Sequence, residues 1–148
     1  MISRVVSAIL LLLLTNGAKA EPRLLGSWKS SLEVSLAKND IEALAPNTRS
    51  FIRQTVGLLT ITYEGQSLVE DSPATTLTID GKDYEWTAAN GRFPYKVLKR
   101  GENKVLIKRR LVDGSWVKGV ITFENPDLYW VSWQDQSDVE FNEYFVRQ

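Results

Sequence analysis

The sequence predicts an all-β protein: an antiparallel up-and-down (meander) β-barrel of eight to ten strands, with a short helical insertion after the first strand. Turn signals recur about every 8–12 residues from residue 64 onward, among them Ser72-Pro73, Asp80-Gly81, Asn90-Gly91, Asp113-Gly114 and Asn125-Pro126-Asp127, the spacing of an antiparallel meander. Between the turns, apolar and polar residues alternate with the period of two that marks a strand with one buried face.

Residues 1–20 read as a cleavable signal peptide. Arg4 supplies a positive start, Val5 to Leu14 an apolar run, and Ala18-Lys19-Ala20 a small-x-small cleavage site. The run is too short to span a bilayer, and no second stretch approaches that length, so no integral membrane segment is expected. This leader predicts a periplasmic or secreted protein whose mature domain is residues 21–148. Of the 18 basic residues, Arg4 and Lys19 leave with the leader, while all 18 acidic ones remain, so the mature domain carries a formal charge of −2. A near-neutral exported domain is a poor partner for nucleic acid. With no cysteine, the fold has no disulfide scaffold and must rest on apolar burial.

The first strand is expected to run through Trp28, Ser30, Leu32, Val34 and Leu36, which alternate with polar residues. Ala45-Pro46-Asn47 then opens a helix to Val56, with Pro in the first turn and Gly57 just past the end, the usual boundary chemistry. A helical turn over 39–44 precedes it. The meander follows, with inward positions Leu59/Ile61/Tyr63, Leu77/Ile79, Tyr84/Trp86/Ala88, Val105/Ile107, Val117/Gly119/Ile121/Phe123 and Val139/Phe141/Phe145. Asp80-Gly81 and Asp113-Gly114 are read as type I′ hairpin tips, because that turn needs positive φ at both central residues.

Gly26-Ser27-Trp28 opens the first strand and Glu143-Tyr144-Phe145-Val146-Arg147 closes the chain. This pair resembles the calycin superfamily, most closely the bacterial exported lipocalin-like domains, with a layout also similar to fatty-acid-binding proteins. The resemblance implies that Trp28 plugs the closed end of the barrel and that Arg147 packs across its ring, with Gly26, Trp28 and Arg147 as closure residues. The lipocalin Thr-Asp-Tyr motif and the Arg-x-Tyr pair that grips a fatty-acid carboxylate are absent.

Histidine and cysteine are both absent, which removes the usual general base, the usual zinc and haem ligands, and triads of the Ser-His and Cys-His types. No catalytic residue, metal site or cofactor is expected. Glu70-Asp71, Asp135/Asp138 and Glu140/Glu143 read as solvated turn or edge charges. The hairpin around Gly101 is rich in Lys and Arg, with Glu102 the one acid between residues 96 and 110; it reads as solvated barrel exterior, with an anionic surface or partner as the alternative.

The function expected is therefore non-enzymatic binding of a small apolar or amphipathic molecule inside the barrel, with the helix at 46–56 as a lid. Candidate ligand-binding residues are Tyr63, Tyr84, Trp86, Tyr95, Arg109 and Trp130. Arg109 shares a face with Val105 and Ile107, so it needs an internal partner such as Glu143 or a ligand anion. The alternative is a packed barrel acting through its outer surface as a protein-interaction, inhibitor or envelope-assembly factor.

Overall fold

The computed structural model describes residues 20–134 and 140–148, without the side chains of Trp133 and Gln134. The stretch read as a leader, apart from Ala20, the turn charges Asp135 and Asp138, and the inward position assigned to Val139 lie outside the described residues. Every described element and both apolar cores fall between Leu24 and Gln148.

Eight strands form a closed antiparallel barrel. They are β1 (Gly26–Ser30), β2 (Thr60–Glu64), β3 (Ser67–Ser72), β6 (Ala89–Arg100), β7 (Lys104–Arg110), β8 (Trp116–Asn125), β9 (Leu128–Gln134) and β10 (Glu140–Arg147), in the order β1-β2-β3-β6-β7-β8-β9-β10, with β10 returning to β1. Between β3 and β6 the chain makes a separate hairpin, β4 (Thr75–Ile79) and β5 (Lys82–Trp86). Its tip takes the expected geometry, with φ of 53° at Asp80 and 72° at Gly81. The Asp113-Gly114 tip does not: Gly114 alone is left-handed (φ 87°). Its N–H bonds to Leu111 O, and Leu111 N–H to Ser115 O, so this is the three-residue hairpin with a Gly bulge.

The first strand is shorter than the alternation implies. β1 stops at Ser30, and Leu32–Lys38 is a helix, α1. Ser31 caps it, its hydroxyl accepting the Val34 N–H at 3.2 Å, with Glu33 in the first turn and Lys38 in the last, as the helix dipole favours. The helix prevails because it serves β10. Where β1 leaves, the edge of β10 would stand open; instead Ser31 N–H donates to Tyr144 O (2.8 Å), the Ser35 hydroxyl accepts the Tyr144 N–H (2.9 Å), and the Asn39 amide pairs with both backbone groups of Asn142 (2.8 and 2.9 Å). Ser31, Ser35 and Asn39 are four residues apart, one stripe of a helix. Leu32 and Leu36 pack on a small core of Ile41, Leu44, Ile52, Val56 and Phe141.

A one-turn 3₁₀ helix at Ile41–Ala43 and helix α2 (Pro46–Thr55) follow, as the sequence predicts. Pro46 occupies the first turn, and Gly57, with φ of 99°, carries the chain out of the helix.

At one end the barrel is plugged. Trp28 is fully buried, its indole N–H donating to Leu24 O at 2.8 Å. Arg147, directly across the ladder, lays its guanidinium 4.2 Å from the Trp28 ring centre and donates to Leu25 O (2.8 Å) and Arg23 O (2.9 Å). Above the plug the interior is filled with rings: Trp28 against Tyr129 (4.7 Å), Tyr129 stacked on Phe145 (5.0 Å), and Tyr63 edge-on to Tyr95 (5.4 Å).

Candidate functional site

The opposite end of the barrel is built differently. The inward row there is Ser30, Glu70, Gly91, Arg109, Val117, Gly119 and Glu143, placed by the pairings Ile61 to Glu70, Glu70 to Gly91, Arg109 to Val117 and Glu143 to Val131. Small and polar side chains replace the rings of the lower barrel, and a cavity of about 380 Å³ opens above them.

Two inserted elements roof this mouth. Helix α2 contributes Phe51, Val56 follows at its end, the β4–β5 hairpin contributes Trp86, and Leu59 completes an apolar wall. The roof is joined to itself: Phe51 meets Trp86 edge-on at 5.4 Å, and the Gln54 amide both donates to Thr78 O and accepts Thr78 N–H, each at 2.8 Å. Gln54 thus reads the free edge of β4 as another strand would, which fixes the hairpin over the helix.

The floor is charged. Glu70 and Glu143 both line the cavity. Arg109 forms an ion pair with Glu70, both side chains less than one-fifth exposed, and its guanidinium lies over the Phe93 ring at 5.5 Å. Its Nε is buried with no protein partner. Glu143 accepts a 2.5 Å hydrogen bond from Ser30, whose hydroxyl in turn accepts the Gly57 N–H at 2.8 Å. That relay ties the end of α2 to the barrel rim. Among the described residues no cluster of three or more metal-ligating side chains assembles.

The sequence-predicted site residues divide. Trp86 lines the cavity; Arg109 faces inward as expected but does not line it, being paired to the lining residue Glu70 and not to Glu143. Tyr63 and Tyr95 are inward and 4% and 3% exposed; they fill the barrel below the cavity. Tyr84 does not face the interior: β5 lies outside the barrel and Tyr84 is half exposed, opposite Leu77. Trp130 does not either, because its register with Thr122 and Tyr144 puts it on the outer face.

Glu70, read from sequence as a solvated turn charge, is the correction that matters most. Leu68, Glu70 and Ser72 alternate, so burial of Leu68 sends Glu70 inward. Glu143 likewise points in, two residues from the buried Phe141 and Phe145. No protein-family model and no curated protein sequence matches the chain.

Proposed function

We propose that this is an exported, lipocalin-like, non-enzymatic binding protein that holds a small amphipathic molecule at the mouth of its barrel, not deep inside it. The observation that carries the reading is the two-sided cavity, with an apolar roof of Phe51, Val56, Leu59 and Trp86 over a floor of Glu70 and Glu143, Glu70 being paired to Arg109 beneath it. Its volume falls within the range of small-ligand sites, about 300–1,000 Å³. The closed eight-strand barrel with a Trp28 and Arg147 plug supports the calycin likeness, and the leader-like first twenty residues support export.

The floor also selects the polar end of the ligand. Two carboxylates, Glu70 and Glu143, line it, with Glu70 held by Arg109, so a neutral or cationic head that donates hydrogen bonds suits these acceptors better than a carboxylate. Calorimetric titration with alkyl amines, alcohols and carboxylates of one chain length tests this. Amines and alcohols are expected to bind more tightly than carboxylates, and Trp86→Ala to weaken all three by about 1–3 kcal/mol through lost apolar contact. Binding of none of them, or binding that Trp86→Ala leaves unchanged, contradicts the proposal.

A further inference from the structure

The outer face of β6, β7 and β8 carries a pattern the mouth does not use. The registers Lys96 to Lys108 and Lys108 to Lys118 set three lysines side by side across the three strands. Lys99, Lys104 and Arg110 flank this row. Among the described residues none of these six cations forms a salt bridge. Like charges directly opposite on a sheet are destabilising, so the row costs the fold stability unless negative charge meets it.

Apolar groups are interleaved with these cations. Trp116, 41% exposed, stands opposite Arg110 and takes the ammonium groups of Lys96 and Lys108 over its ring at 5.4 and 5.2 Å. Leu98 and Val120 are 42% and 45% exposed beside the lysine row, and Val112, at the β7–β8 tip, is 91% exposed. A soluble polyanion offers charge but no apolar phase for these groups. A bilayer offers both: Trp concentrates at the membrane–water interface, and basic residues close to an anionic surface each add attraction.

We infer that this face docks on a lipid bilayer containing anionic headgroups, with the lysine row over the headgroups and Trp116 and Val112 entering the interface. The barrel from Glu21 onward, which retains every described element, is mixed with phosphatidylcholine vesicles prepared with and without phosphatidylglycerol. Binding is expected only to the anionic vesicles, with loss at high salt and quenching of Trp116 fluorescence, read by difference from Trp116→Phe, by brominated acyl chains. Changing Lys96, Lys108 and Lys118 together to Gln should weaken binding about a hundredfold, at about fivefold for each lysine. Val112→Asp, at a tip too exposed to disturb folding, should abolish the quenching; it decides the matter if the triple variant fails a near-ultraviolet circular dichroism check. Equal binding to both vesicle types, binding unaltered by these variants, or capture of dextran sulfate with no vesicle binding would each overturn the inference.

Discussion

At the scale of single residues, Trp28 joins the first strand, the last strand and the segment before them at the closed end. It fills the closed end, packs tilted against Tyr129, and receives Arg147 over its face. Deleting a buried ring leaves a cavity as well as losing transfer energy, so Trp28→Ala should lower stability by about 3–5 kcal/mol, measured by urea denaturation; an unchanged midpoint would remove Trp28 from the core. The interior tyrosines make a second prediction. Burial pushes the Tyr63 hydroxyl up to about 12, burial and the hydrogen bond to Glu124 push Tyr144 to about 12, and burial raises Tyr129 well above the ordinary value of 10. The folded protein therefore favours the neutral phenols. Their contribution is intact below about pH 10, where the unfolded chain begins to ionise, and is lost as pH rises toward about 12, on the order of 2–3 kcal/mol for a fully buried ring. Tyrosinate absorbance should rise in step with unfolding over that window; ionisation of all five tyrosines with the fold intact would contradict it.

At the scale of elements, the instructive case is the segment from Ser31 to Asn39. Its apolar residues fit a strand and a helix equally well: Leu32, Val34 and Leu36 alternate, while Leu32 and Leu36 also share a helical face. The polar residues decide between them. Ser31, Ser35 and Asn39 are spaced to meet an unpaired β10 edge, and buried backbone groups must find partners. That signal stood in the sequence, but reading it requires knowing that β10 lies alongside, which no local pattern supplies. Ser35→Ala should leave the buried Tyr144 amide without its acceptor and cost about 1–3 kcal/mol, with faster hydrogen exchange at Tyr144; unchanged exchange there would show that α1 does not protect the edge. Helix α2 was legible because Pro46 and Gly57 are local signals. The β4–β5 hairpin was legible as a hairpin and not as an excursion from the barrel, because alternation reports pairing and a buried face without saying which sheet the pair joins.

At the scale of the whole molecule, the chain builds a barrel with two unlike ends. The closed end was legible through the resemblance carried by Gly26, Trp28 and Arg147, which implied a buried ring with a cation laid across it, and the structure has that contact. The mouth was only half visible. Trp86 and Arg109 were found, whereas Glu70 was taken for a turn charge, because an inward carboxylate makes sense only once its partner across the interior is known. The tyrosines were inward as expected, yet inward aromatic residues fill a barrel of eight strands as readily as they line it. The proposed function puts a ligand at the mouth, between α2, the β4–β5 hairpin and the floor of Glu70 and Glu143. Amide shift mapping of the ¹⁵N-labelled barrel during titration with an alkyl amine tests this most directly. Perturbations are expected only at Phe51–Leu59, Glu70–Ser72, Trp86–Gly91 and the neighbourhood of Glu143, with Trp28, Tyr129 and Arg147 unmoved; perturbations centred on the closed end or spread over the outer face of β6–β8 would contradict a ligand at the mouth.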